Sequence, residues 1–445
     1  MKTPNIIVYI GHDAGRFIEP YDVETVHTPN MNRVAEEGAV FENHFATAPQ
    51  CSPSRASMFT GRYPHSTGVL GLTGGPFGWT LNDDEQHLAR LLGAAGYETA
   101  LIGIAHEALG GNCPPEQVEI CGFDDASRHG QKDALQAGDA LSDWLNTRNR
   151  PDSPFFVEIG TKAVHNADDY EPEEQDGVTI PEHLNPGPET RRHMARHQAC
   201  VRHWDRGLGR VLEFLDRRGL SEETIVVVTT DHGLGVPRAK TSLYDPGLES
   251  LLLMRYPRGI EGGQRHDCLL SNVDLTPTML EAAGADVPDN IHGRSFWPLL
   301  TGADHAERTE IFGEKTYHTE YDPMRCIRTQ RYKFIYNLEP ITHEHFGRGC
   351  LNNRDLYQEN FHLRSEERQS CSTGAELYDL QQDPLEMENV AEDAEYTDVR
   401  RDLEARLYEW MRDTNDPLLD GPVAAPAFYD RIEQLKQSAS KTDSP

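Results

Sequence analysis

The chain of 445 residues sets 42 lysines and arginines against 73 aspartates and glutamates, a formal net charge of −31. That balance excludes the basic face needed for nonspecific nucleic-acid or anionic-membrane binding, yet it allows a locally positive pocket for a small anion. Hydrophobic residues at 37% and aromatics at 8% suffice for a packed interior, and the length calls for one large domain with a smaller appendage.

The opening MKTPNIIVYIGHD runs straight into a strand, NIIVYI at 5–10, without export-signal architecture. The expectation is a cytoplasmic chain, or a periplasmic or secreted one if a leader has been removed. Further β-rich runs follow: ETALIG (98–103), PFFVEIG (154–160), TIVVVTT (224–230) and SLLLMRY (250–256). They are continuously apolar rather than alternating, as strands buried on both faces are. Helical stretches lie between them, at 83–96 and 191–219. Strands alternating with helices predict a doubly wound α/β fold, a large and mostly parallel sheet sandwiched by helices over residues 1–305.

Beyond about residue 305 the texture changes. EIFGEKTYH, MRCIRTQRYKFIYNLE and AELYDLQQDP predict shorter, half-exposed strands with Asp/Pro turns. The stretch 395–414 places Val399, Leu403, Leu407 and Trp410 at helical spacing, an amphipathic helix to pack on a small antiparallel sheet. Together these give a C-terminal α+β subdomain over residues 306–445, ending in a polar tail, QLKQSASKTDSP, expected to fray. No run approaches the roughly 20 apolar residues of a membrane span. Eight scattered cysteines without a CxxC pair predict reduced thiols rather than a zinc knuckle.

Ligands of open α/β sheets bind beyond the carboxyl ends of the strands. There the first run ends in His12-Asp13 and TIVVVTT in Asp231-His232-Gly233. ETALIG is followed by His106, and PFFVEIG by His165. Any one of these could be an ordinary helix cap; four at one sheet edge point to a shared site. Two carboxylates with flanking histidines can hold one divalent cation, the oxygens favouring Ca²⁺ or Mg²⁺ and the imidazoles admitting Mn²⁺ or Zn²⁺. Lys240, in the Pro/Gly-bracketed loop PRAKTSLYDPG, could neutralise an anionic group, or could be a solvated surface lysine.

CSPSRASMFTG at 51–61 resembles the formylglycine signature of the type I sulfatases, members of the alkaline phosphatase-like superfamily. TPNMNRVAEEGAVFENHFATAPQ, DHG at 231–233, VDLTPTMLEAAG and the C-terminal strand motifs extend the likeness over nearly the whole chain. GHDAGRF, AKTSLYDPG and DPMRCIRT are most similar to the heparan N-sulfatase (sulfamidase) branch. The resemblance implies that Cys51 is oxidised to formylglycine by a maturation enzyme, and that its hydrate attacks sulfur beside one divalent ion, Ca²⁺ with Mg²⁺ or Mn²⁺ as alternatives. It implies metal-ligand positions at His12, Asp13, Asp231, His232 and residue 51. Arg55 would orient the hydrate, His106 would act on its hydroxyl, His165 would serve as leaving-group acid or sulfate contact, and Lys240 would bind sulfate. The implied substrate is a sulfated carbohydrate, N-sulfoglucosamine or an O-sulfated sugar of the glycosaminoglycan kind, with Glu314, His318, Arg325 and Arg328 as candidate contacts on the smaller subdomain.

Three departures stand out. His12-Asp13 replaces the usual Asp-Asp, and Asp231-His232 the usual Asp-Asn. Gly103-Ile104-Ala105-His106 replaces Gly-Lys-x-His, so a sulfate-holding cation is absent at position 104; either Lys162 or an arginine such as Arg325 substitutes for it, or the enzyme is slower or shifted in substrate. A phosphodiester or phosphonate monoester hydrolase of the same superfamily and a catalytically impaired carbohydrate-binding member are the alternative functions. Ser54 in the signature favours the sulfatase.

Overall fold

The structure, a computed structural model, describes residues 3–108, 120–129, 132–339, 354–363 and 374–442. Eight strands form the large sheet: β1 (Asn5–Gly11), β2 (Ala39–Phe45), β3 (Glu98–Gly103), β4 (Asp125–His129), β5 (Phe155–Gly160), β6 (Thr224–Thr230), β7 (Leu252–Arg255) and β8 (Gln264–Ser271). Their spatial order is β4-β3-β5-β1-β6-β7-β2-β8. β1 lies between β5 and β6, parallel to both, while β7 runs antiparallel to β6 and β2. The sheet is therefore mostly parallel, as the apolar runs predict. The edge strands β4 and β8, and β2 beside β8, carry polar residues among the apolar ones and were not legible as buried runs.

The continuous apolar character of β1 has a direct cause. Ile7 and Tyr9 join the core under the long helix Pro188–Arg218 and the helix Ala134–Thr147. Ile6, Val8 and Ile10 join the opposite core under Leu88–Ala94 and Leu275–Ala283. A strand filling two cores has no polar face to alternate with. The predicted helix at 191–219 spans 188–218, whereas the one at 83–96 is shortened to Leu88–Ala94.

The second sheet holds β9 (Glu310–Tyr317), β10 (Tyr321–Thr329), β11 (Tyr332–Asn337) and β12 (Ala375–Asp379), antiparallel in the order β12-β11-β10-β9. The helix Thr397–Asp413 packs Leu403, Leu407 and Trp410 against Ile327, Phe334 and Leu377. The terminal segment departs from expectation: it is helical from Pro426 to Thr442, with Phe428, Tyr429 and Leu435 exposed. Among the described residues no helix is long and apolar enough to cross a membrane.

Candidate active site

Four strand ends deliver the site. After β1 the chain turns sharply, with Asp13 in the left-handed region at φ 55°, a conformation that costs a non-glycine residue energy and recurs at functional sites. After β6 comes Asp231-His232-Gly233. A side chain at position 233 would meet the carbonyl of Pro246 at 1.8 Å, so only glycine lets the loop fold back here. His106 follows β3 and His165 follows β5.

The helix Cys51–Thr60 points its first turn into this cluster; all ten of its residues are buried, and Gly61 closes it in a left-handed cap. Its start is tied down from a distance. The Asn272 amide donates to the Ser54 carbonyl at 3.0 Å and to its hydroxyl at 2.8 Å, while the Ser54 hydroxyl donates to the Asp231 carbonyl. Asn272 carries no charge and lies far along the sequence, so sequence reasoning missed it. Its only signal was its place at the head of the VDLTPTMLEAAG stretch. Gln50, just before Cys51, was also missed: it is buried with both amide atoms unpartnered.

Around Cys51 the charges are arranged by pairing. Lys240 donates to both oxygens of Asp13, at 2.9 and 2.8 Å, and stands 3.8 Å from the Cys51 sulfur. His232 Nε2 lies 3.1 Å from Asp13 and 3.4 Å from the sulfur, and its Nδ1 lies 3.0 Å from the Gly233 carbonyl. Arg55 reaches Asp231 through Nε at 3.3 Å and the Gly11 carbonyl through Nη2 at 3.1 Å. His12 Nδ1 is 2.7 Å from Asp231. Burial by itself would raise both carboxylates. Lys240 and His232 instead hold Asp13 well below the usual range, and His12, His232 and Arg55 do the same for Asp231. Burial opposes a thiolate at Cys51 as well, but Lys240 and His232 outweigh it and its acidity rises.

The donor set could hold one metal ion. Ligand atoms of His12, Asp13, Cys51 and Asp231 all lie within 4.8 Å of one another, and His12 Nε2 is buried without a hydrogen-bond partner. With Nδ1 of His232 held at the Gly233 carbonyl, its Nε2 faces both carboxylates and donates to Asp13, and a bound cation would take the place of that proton.

The remaining candidates separate. His106 belongs here: its donor atoms lie within 4.8 Å of those of His12 and Cys51, and its ring is 5.7 Å from that of His12. His165 stands at the rim, its ring 6.1 Å from His12. His318 is near enough to Lys240, Cys51 and His232 to feel their charge; burial, Lys240 and Lys315 push it down to about 3, a neutral imidazole. Three of the expected substrate contacts are paired within the protein. Glu314 is bound by His65, and Arg325 lies fully buried on Asp416, with Nε 2.5 Å from its carboxylate. Arg328 pairs with Asp245 at 3.0 Å and lies over the Phe45 ring. Arg328 reaches the large domain through Asp245 and Phe45, whereas Arg325 pairs within the smaller subdomain, and every nitrogen of both guanidiniums has an acceptor. Arg325 therefore does not replace the cation absent at Ile104. Lys162 is half exposed, with its ammonium 3.8 Å from Asp169. The cation that the structure sets against Cys51 is Lys240.

The chain matches the family model described as Sulfatase over residues 4–285. A second model, N-sulphoglucosamine sulphohydrolase, C-terminal, matches residues 237–346. The chain is 28% identical over 441 residues to an ulvan-active sulfatase of Formosa agariphila, covering 96% of this chain and 83% of the relative. It is 27% identical over 475 residues to the N-sulphoglucosamine sulphohydrolase of Homo sapiens, covering 95% and 92%. Its fold is similar to that of a solved protein in complex with its substrate D-glucosamine-2-N,6-O-disulfate. The TM-score is 0.71 at 22% identity, over 93% of this chain and 99% of that one.

Proposed function

The chain belongs to the sulfatase family, and from that premise we propose that it removes a sulfate group from a sulfated carbohydrate, an N-sulfoglucosamine or an O-sulfated sugar, at Cys51. The observation that carries this reading is the constellation around that residue: a helix N-terminus, two buried carboxylates, two histidines and Lys240 converge on one sulfur. The match to the N-sulphoglucosamine sulphohydrolase C-terminal model supports the amino-sugar choice.

His12, Asp13, Asp231 and His232 would hold a divalent ion, Ca²⁺ or else Mg²⁺ or Mn²⁺, with residue 51 as a further ligand. Once bound, the ion supplies polarisation of the sulfate oxygens. Formylglycine made from Cys51 by a maturation enzyme would supply a hydrated aldehyde, with one hydroxyl to attack sulfur and a second to release the sulfate. The chain's own groups do the rest. Arg55 fixes Asp231 and the orientation of residue 51. The helix N-terminus and Lys240 favour the anion at the point of attack. His106 moves the proton of the residue-51 hydroxyl, and His165 at the rim protonates the departing amine or alcohol.

Mass spectrometry of the peptide containing residue 51 tests this, together with sulfate release from N-sulfoglucosamine and from an O-sulfated sugar. The expected result is replacement of sulfur by an aldehyde oxygen in active protein. An unmodified cysteine in protein that turns over would overturn the mechanism, and preference for a phosphate ester would overturn the substrate class.

A further inference from the structure

Beneath the site lies a second group of buried charges that the reaction does not use directly: His87, Glu107 and Glu158, each without solvent exposure. His87 Nε2 is 3.5 Å from Glu107 Oε1 and 3.9 Å from Glu158 Oε2. With Cys121 close by, the ligand atoms of His87 and Glu107 form a set within 4.8 Å that resembles a metal site. The hydrogen bonds argue otherwise. His87 Nδ1 accepts the Ala89 amide at 3.1 Å, so its proton sits on Nε2, which can donate to a carboxylate but has no lone pair for a metal.

The second oxygen of Glu107 has a different task. Oε2 accepts the backbone N–H of His106 at 2.7 Å, and the Thr73 hydroxyl donates to the carbonyl of His106 at 2.9 Å. The backbone of His106 is thus gripped on both sides, while its ring Nδ1 makes no hydrogen bond and is left for the centre. Glu107 is also close enough to Arg55 to bias its charge, and Arg55 Nη1 is buried without a hydrogen-bond partner. Of the two carboxyls, Glu158 is pushed well up by burial and by Glu107. Glu107 stays low, since His87 and Arg55 outweigh its burial, so the charge rests on Glu107.

We infer that Glu107 is a positioning residue for the reaction, its carboxylate holding the His106 backbone so that the ring meets the hydroxyl of residue 51, with His87 fixing the carboxylate from behind. This inference rests on the role given to His106 above. The carboxylate serves two neighbours: Oε2 accepts the His106 amide, and its charge faces the His87 Nε2–H at 3.5 Å without a formed hydrogen bond. Leucine does neither, and glutamine keeps the acceptor for the His106 amide.

The experiment compares kcat and KM of Glu107→Leu, Glu107→Gln and Thr73→Val on a sulfated monosaccharide, with His106→Ala as reference. Displacing a catalytic group by an ångström costs about 100-fold, so Glu107→Leu should lower kcat by about that factor with KM within about twofold. Glu107→Gln should recover about tenfold of the loss, and Thr73→Val should lower kcat more mildly in the same pattern. Should Glu107→Leu not fold, Glu107→Gln and Thr73→Val decide. Wild-type kcat in all folded variants, equal loss in Leu and Gln, or loss confined to KM overturns the inference. If His106→Ala is inactive while the Glu107 variants are normal, only the positioning role fails. If His106→Ala turns over normally, the reading of the site itself fails.

Discussion

Two regions of this molecule bury charge densely, and they use it in opposite ways. In the seam around the smaller sheet, each ion is closed by a permanent partner. Arg325 is held by Asp416 and lies 3.8 Å from Glu314, and Asp245 is held by Arg328 and Lys333. At the strand ends around Cys51, the carboxylates instead share histidines and one lysine about a common point, and His12 Nε2 and His106 Nδ1 are left unsatisfied. Residue types do not tell the two apart, since both regions hold Asp, His and basic side chains. What differs is whether the donors and acceptors are used up. Closed pairs make a strut; groups with capacity left over can serve a ligand.

The contrast breaks most visibly at Cys51. Cys51→Ala should abolish sulfate release, a loss of more than about 1,000-fold on the scale of removing a catalytic nucleophile. The thermal midpoint should stay near that of the parent protein, because the residue carries no structural pair. Substantial residual turnover would place the nucleophile elsewhere.

Arg325→Met makes the converse cut. Leaving Glu314 and Asp416 buried without their cation should cost about 3–5 kcal/mol of stability, read from urea unfolding, with KM unchanged in the folded protein. A raised KM with unchanged stability would return Arg325 to the substrate.

Acid acts on the seam more gently. Burial opposes ionisation of Asp416 and Asp245, but Arg325, and Lys333 with Arg328, hold both below the ordinary carboxylate range. A depressed carboxylate contributes stability above its unfolded value, near 3.9, and loses it as the pH falls through the folded value. The unfolding free energy should therefore be insensitive to these pairs between about pH 7 and 5 and fall by about 1–3 kcal/mol below about pH 4. Arg325→Met should show the smaller acid loss, because Asp416 has already lost its partner. An identical acid profile in the two proteins would break the assignment.

Legibility followed the range of the interaction involved. Strands β1, β3, β5 and β6 were legible because burial on both faces leaves an unbroken apolar run. The amphipathic helix bearing Leu403, Leu407 and Trp410 was legible from its spacing, and the signature at 51–61 from its own residues. β7 was found as a strand, but its reversed direction depends on its neighbours β6 and β2 and leaves no local mark. The terminal helix to Thr442 was missed although Phe428, Tyr429, Ile432 and Leu435 stand at helical spacing, because the polar end of the tail was read alone; all four of these side chains stay exposed.

By itself the sequence determined the α/β core, the chemistry presented at the strand ends, and Cys51 as the point on which that chemistry converges. Only the tertiary structure decided which charges remain available. Arg325 meets a partner 91 positions away and Arg328 one 83 positions away, whereas Lys240 crosses 227 positions to reach Asp13 beside the sulfur. Periodicity and turn chemistry act over a few residues and are written in order along the chain. The pairing of buried charges is set by packing, which brings together residues whose separation in sequence carries no trace of it.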